Sequence, residues 1–557
     1  MAVQATACAA GGASQATQAP APTTSPIIST STSAASDYDI VIRNGRVLDG
    51  AGNPWIRADV GIRNGRFARV GIVTGRGRQE IDARDRYVSP GWIDMMDQSG
   101  AVLPRNPLAE NKLRMGVTTA IGGEGGTPVA AAAIPAYFRG LEQSGISINF
   151  GSYFSETQAR VPVLGMSARA PTPDELVRMR AIMDTAMRGG AMGMTTALIY
   201  PPSSYATTAE LAEVAKAVAP YGGLYASHIR GEGKDVVEAV REAIEVGERA
   251  GIPVEVFHLK VAHRPAWGVL MSVVRDTVEA ARARGVDVAA AMYVYTAGGT
   301  GLGATIPSWA HEGGTDSLKR RLADPAIRAR LKREIDTGSP GWWNIIEAAG
   351  GWDGVVLVNA RNPANAKYER KSVAQIARET GKSPADAAWD IVAAGSGRVM
   401  GIYHMMGEAD IETALRFPWM SIGSDAGAAL AAGDADGLGL PHPRSYGNHV
   451  RVIARYVKER HVISLEEAVR KMTSWPATRM RLANRGSVKE GNWADVTIFD
   501  LETLKDNATY DEPTLSPTGI DWVLVNGVVV IDHGRHTGAK PGQVLRGAGA
   551  RPNGGGA

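Results

Sequence analysis

Cysteine is almost absent from this 557-residue sequence, which contains only Cys8. An intrachain disulfide and a thiolate metal cluster are therefore excluded, and a bound metal has to be held by His, Asp, Glu or a Lys-derived ligand. Charge of one sign is lacking too: 60 Lys and Arg stand against 57 Asp and Glu, for a formal charge of +3. That balance supplies no electrostatic footprint for nucleic acid or an anionic membrane. Runs of about eighteen apolar residues do not occur, so no transmembrane segment is expected.

What is present is enough for a sizeable core, with 44% apolar residues and 66 glycines. Residues 1–36 carry no charged side chain and consist mostly of Ala, Ser, Thr, Gln, Gly and Pro. Such a stretch cannot bury enough surface to offset chain entropy, and it is expected to be a disordered tail or a trimmed export leader. Ala5-Thr6-Ala7-Cys8 is similar to the end of a bacterial lipoprotein signal, although the preceding apolar core is missing. A periplasmic or lipoprotein-anchored protein is one expectation, and a cytoplasmic protein with a bland leader is the other. The Gly-rich end, residues 546–557, is expected to fray as a disordered tail.

Between the tails, the edges read as β and the middle as α/β. Residues 38–48 and 58–67 alternate polar and apolar side chains around Asn44-Gly45 and Asn64-Gly65, and each reads as a hairpin. Residues 494–500 and 522–530 show the same alternation, with a further Asn-Gly pair at Asn526-Gly527. Residues 37–88 and 485–545 are thus expected to form one composite β-sandwich. Residues 89–484 alternate short apolar runs with helical patterns. Strand candidates lie near 91–95, 117–121, 148–153, 192–196, 224–227, 254–257, 286–293 and 420–423, the count for a (β/α)8 TIM barrel. The long interval 297–419, with Trp309, Trp342, Trp343 and Trp352, is read as holding an insertion over the barrel mouth.

Catalytic groups of such barrels sit at the C-terminal ends of strands. Here those ends are followed by Glu124, His228, His258 and Asp425. Neutral imidazoles and carboxylates suit Zn2+, and an open coordination position lowers the pKa of a bound water to about 7. Against this stand plainer roles for each residue taken singly: a hydrogen-bonded structural histidine, a Ser-Asp helix cap, or an exposed carboxylate in a glycine turn at Glu124.

Several stretches together resemble the D-aminoacylase, or N-acyl-D-amino-acid deacylase, family of the amidohydrolase superfamily. They are Val88–Asp94, Gly116–Thr119, Tyr200-Pro201-Pro202, Ser227–Gly233, Ile422–Asp425, His442-Pro443-Arg444 and Trp493–Val496, and the likeness spans nearly all of residues 38–545. The resemblance implies a metal-bearing TIM barrel in which His228 and His258 bind zinc and Asp425 acts as the base. It also links Lys260, Arg444 and a tyrosine of Tyr293-Val294-Tyr295 to the substrate carboxylate. A rim lysine, a structural ion pair and core tyrosines are the plainer alternatives.

Two departures from the family pattern stand out. Met96 and Gln98 occupy the positions of the first-strand His-x-His pair, which removes the outer metal site. Glu124 stands where the family has a zinc-binding cysteine, and a carboxylate can replace a thiolate there. The expectation is one Zn2+ on Glu124, His228 and His258, hydrolysing a linear amide of a small molecule, an N-acyl-D-amino acid or D-dipeptide. A broader amidase acting on aryl or fatty acyl amides and a non-catalytic barrel that binds a ligand are the alternatives. Oligomeric state is not legible.

Overall fold

The computed structural model describes residues 36–395, 399–429 and 440–550. The expected leader around Cys8 and the last residues of the expected C-terminal tail, 551–557, lie outside the described residues.

The chain enters through five strands: β1 (Tyr38–Val47), β2 (Ile56–Arg63), β3 (Arg66–Gly71), β4 (Gly77–Asp82) and β5 (Tyr87–Pro90). Alternation drives them, because Ile40, Ile42, Val60, Ile62 and Phe67 pack into one apolar cluster. Asn64-Gly65 makes the expected tight turn, with φ of 52° and 73°. Asn44-Gly45 does not. Both halves of β1 pair with β2, Ile40 opposite Ile62 and Val47 opposite Ile56, and the register slips between Ile42 and Gly45. The pair is a bulge, and Gly45 is required because a Cβ there would lie 2.7 Å from Val88 Cγ2.

The barrel follows with β6 (Trp92–Asp97), β7 (Val117–Gly122), β8 (Asn149–Ser152), β9 (Phe154–Ser155), β10 (Gly193–Ala197), β11 (Leu224–His228), β12 (Val254–Val256) and β13 (Val288–Met292). An insertion then contributes β14 (Gly298–Gly301), β15 (Val355–Asn359) and β16 (Met400–Tyr403) as a small antiparallel sheet with helices around it. Strand β17 (Met420–Ile422) completes the barrel. All barrel pairings are parallel. β8 and β9 form one stave interrupted at Tyr153, and a parallel bridge from Asp97 to Ala426 joins the first stave to the last. The result is the expected (β/α)8 ring. Its covering helices bury apolar faces at helical spacing, as Val236, Val240, Ala243, Ile244 and Gly247 do in helix Val236–Ala250. No helix among the described residues is long and apolar enough to cross a membrane.

The chain ends with β18 (Val496–Phe499), β19 (Ile520–Val525), β20 (Val528–Asp532) and β21 (Arg535–His536). β18 pairs with β5, so both chain ends share one continuous nine-stranded sheet. Beyond β21 the chain crosses to the barrel. Gly542 N donates to Ile146 O, Leu545 N to Phe150 O and Gly547 N to Gly190 O, at 2.7–2.9 Å. Arg546 pairs with Glu142 at 2.6 Å. Residues 546–550 are therefore docked rather than frayed, because their glycines let the backbone approach closely: a Cβ on Gly547 would meet Ala191 O at 2.2 Å.

Sheet and barrel are fastened at buried Asp495. Its carboxylate accepts from Arg485, from Asn149 Nδ2 at 3.2 Å and from Asn526 N at 2.8 Å. Asp495→Ala strands the buried Arg485 guanidinium without its counterion. The variant is expected to lose about 3–5 kcal/mol of stability, read as a lower urea midpoint, whereas a loss below about 1 kcal/mol would refute this fastening role.

Candidate metal centre and active site

Four turns at the C-terminal rim of the barrel carry the candidate groups. Glu124 leaves β7 in a turn that needs glycine, since Gly123 and Gly126 have φ of 107° and 92° and a Cβ on Gly126 would sit 1.8 Å from Gln158 Oε1. His228 ends β11, His258 follows β12 at φ 35°, and Asp425 follows β17 at φ 49°. Positive φ in non-glycine residues concentrates where the surrounding structure imposes it, and functional sites are a common setting.

Glu124, His228 and His258 converge. His228 Nδ1 is 2.8 Å and His258 Nε2 3.5 Å from Glu124 Oε1, and the ring centroids are 4.3 Å apart. One ligand atom from each of the three lies within 4.8 Å of the others. A carboxylate oxygen facing two ring nitrogens needs either protons on them or a cation among them. The two imidazoles hold the Glu124 carboxyl well below its usual range, against the opposing effect of burial. His258 is pushed up to about 9: burial and Lys260 oppose its charge, and Glu232 and Glu124 outweigh them. His228 Nε2 is buried without a hydrogen-bond partner. With its imidazoles deprotonated, this O, N, N donor set fits a divalent metal of the zinc type, the cation taking the place of the protons.

Glu232 organises the second layer. Its Oε1 lies 2.9 Å from His258 Nδ1 and accepts from Lys260. Lys260 Nζ and Glu232 Oε1 both reach His258 Nδ1, at 2.8 and 2.9 Å, and in the tautomer whose Nδ1 donates to Glu232 the Nε2 lone pair faces Glu124, as a metal ligand needs. Gln98 donates its amide to Glu124 Oε2 at 2.9 Å and to Asp425 Oδ1 at 3.5 Å. Met96, the other first-strand position, is a buried thioether.

Asp425 faces Arg444, Nη1 to Oδ2 at 2.9 Å. Burial raises the Asp425 carboxyl, and Arg444 offsets only part of that rise. The Arg444 guanidinium stacks on Tyr293, 4.6 Å from the ring centroid. These groups line a cavity of about 480 Å3 that also contains Lys260, Tyr200 and His442.

Tyr293 and Tyr295 differ. Tyr293 lines the cavity, whereas the Tyr295 hydroxyl turns away to Asp506 Oδ2 at 2.8 Å. Tyr295 is thus not among the groups gathered around the candidate centre, because its one polar atom is satisfied behind the wall. Of the insertion tryptophans expected over the mouth, Trp343 lines this cavity. The sequence assigns no role in the site to Glu232 or Tyr200, and it marks Gln98 only as a first-strand position without a histidine, yet all three line the cavity. Glu232 had a readable signal, lying four residues after His228 in His228-Ile229-Arg230-Gly231-Glu232.

Comparison with known proteins agrees with this geometry. The amidohydrolase family model matches residues 384–531. N-acyl-D-glutamate deacylase of Alcaligenes xylosoxydans xylosoxydans is 32% identical, over 91% of this chain and 96% of its own length. D-aminoacylase of the same organism is 31% identical, over 92% and 99%. The crystal structure of N-acyl-D-glutamate deacylase from Bordetella bronchiseptica, with zinc and a phosphonate inhibitor, superposes with a TM-score of 0.76 at 30% identity, covering 91% of this chain and 99% of that one. A D-aminoacylase studied for one-metal activation and second-metal attenuation of its binuclear centre gives 0.75 at 29% identity, covering 91% and 100%. The chain belongs to the D-aminoacylase, or N-acyl-D-amino-acid deacylase, family of the amidohydrolases.

Proposed function

We propose that this protein hydrolyses the linear amide of N-acyl-D-amino acids with one zinc ion held by Glu124, His228 and His258, and with Asp425 as the proton carrier. The observation that carries the reading is the meeting, in one cavity, of an O, N, N donor set, a buried carboxylate and two cations. When bound, the metal supplies Lewis acidity to a carbonyl oxygen and lowers the pKa of a water.

The residues of the chain do the rest. Arg444 and Lys260 bind the substrate carboxylate, the first as a bidentate fork and the second as a point charge, and the Tyr293 hydroxyl adds a neutral donor. Asp425 takes the proton of the attacking water as the C–O bond forms. It returns that proton to the nitrogen as the C–N bond breaks, which an amide requires because its anion is a very poor leaving group. Its raised affinity for a proton in the buried site suits the second half of the task. A thioether at Met96 and a neutral amide at Gln98 do not suit a second divalent ion, which favours the single-ion reading.

A broader amidase is the second reading, favoured by the apolar side of the cavity, where Trp343, Ile345, Val358, Met400, Met405 and Leu440 lie. Amine release from N-acetyl-D- and N-acetyl-L-amino acids, beside aryl and fatty acyl amides without a carboxylate, separates the two. Turnover confined to D-configured substrates with a free carboxylate is expected, and equal turnover of carboxylate-free amides would favour the second reading.

Exhaustive chelation is expected to abolish turnover, with zinc restoring it at a single equivalent and excess zinc causing no attenuation. Activity after complete metal removal would overturn the metal assignment. Glu124→Ala is expected to lose zinc in a metal assay, and full occupancy would demote it to a turn residue. Asp425→Asn is expected to keep zinc yet lose about 10^3-fold or more in kcat, whereas near-normal kcat would put the base elsewhere.

A further inference from the structure

Behind the site lies a buried cation that the reaction does not use. Lys112, from the short helix Glu110–Arg114, is fully buried. Its ammonium is 3.0 Å from Asp94 Oδ2 and 2.6 Å from Asp97 Oδ2, both on β6. It also donates to Ser424 Oγ at 2.8 Å and to the Ala426 carbonyl. Ser424 and Ala426 are the two neighbours of Asp425.

We propose that Lys112 is a positioning residue for Asp425, clamping both flanking residues of the proton carrier to the aspartates of the first strand. The proposal rests on the assignment of Asp425 given above. Lys112 does not line the substrate cavity, so its influence has to pass through the turn.

The turn needs such a clamp. Asp425 has φ of 49°, a conformation that a non-glycine residue holds only when its surroundings impose it. Asp94 accepts from Ser424 N at 3.0 Å and Met96 N at 3.1 Å, and Asp425 N donates to Met96 O at 2.9 Å. The Lys112 ammonium donates to both sides of the turn at once, to Ser424 Oγ and to the Ala426 carbonyl, while it is paired with the first-strand aspartates. Its helix neighbour Asn111 continues the clamp, donating to Gly427 O at 3.2 Å and accepting from Ala429 N at 2.8 Å. A displacement of about 1 Å in a reacting group can cost about 100-fold in rate, so a clamp of this kind acts on kcat.

The test removes the cation together with one of its two counterions, Lys112→Met with Asp97→Asn, so that the net buried charge of the cluster is unchanged. Ser424→Ala, which removes one acceptor of the ammonium together with the Ser424 hydroxyl's own bonds to Asp94 and Ala426, is made beside it. The proposal expects kcat to fall about 10–100-fold in the double variant and less in Ser424→Ala, with KM and zinc content unchanged and no added loss on an Asp425→Asn background. A folded, zinc-loaded double variant with wild-type kcat would overturn it. If the double variant does not fold, wild-type kcat in Ser424→Ala overturns it instead. Asp425→Asn with near-normal turnover would refute the Asp425 assignment itself, whereas an inactive Asp425→Asn beside a fully active double variant would refute Lys112 alone.

Discussion

A single carboxylate oxygen lies between two imidazoles at the rim of the barrel, and the chemistry of the site follows from that. Glu124 Oε1 is 2.8 Å from one ring nitrogen and 3.5 Å from the other, with the two rings nearly perpendicular at 81°. Nothing in the local sequence of Glu124, His228 or His258 brings them together. The ring of parallel strands does, by ending each of β7, β11 and β12 on the same rim. The same closure sets Asp425 opposite, through the bridge between Asp97 and Ala426.

Around this triangle every formal charge has a partner. Lys260 is taken by Glu232, Arg444 by Asp425, and Glu124 by the histidines. Desolvation makes that pairing obligatory, because an unpaired ion at such burial costs several kcal/mol. On the proposed function, a substrate carboxylate entering the cavity therefore exchanges partners rather than finding bare cations. Arg444 stays supported through the exchange by the Tyr293 face and by Gly299 O, which its Nη2 meets at 3.3 Å.

The barrel was legible because its signals are local. Each apolar run expected as a strand overlaps an observed one, and the polar residues that follow these runs are the ones that converge. What escaped depends on pairing at long range. Asn44-Gly45 has the residues of a turn, yet β2 continues past it and makes it a bulge. The docked stretch 546–550 has the composition of a tail, but backbone bonds to the barrel hold it. Tyr293 and Tyr295 read alike until Asp506, 211 residues away from Tyr295, claims one hydroxyl. Nothing in the residues around Lys112 marks it for burial, since its counterions, Asp94 and Asp97, lie on a neighbouring strand.

The first strand shows how the two carboxylates of the site are balanced against each other. With a thioether at position 96 and an amide at position 98, Glu124 lies near enough to Asp425 to raise its proton affinity. The Gln98 amide donates to both carboxylates, so a neutral dipole bridges the repelling pair. Arg444 neutralises Asp425 from the substrate side, while Asp94 and Lys112 hold the turn from beneath. A dipole, a guanidinium and a buried ammonium thus share the work of balancing and placing the carboxylate. Each is fixed to the fold by its own hydrogen bonds.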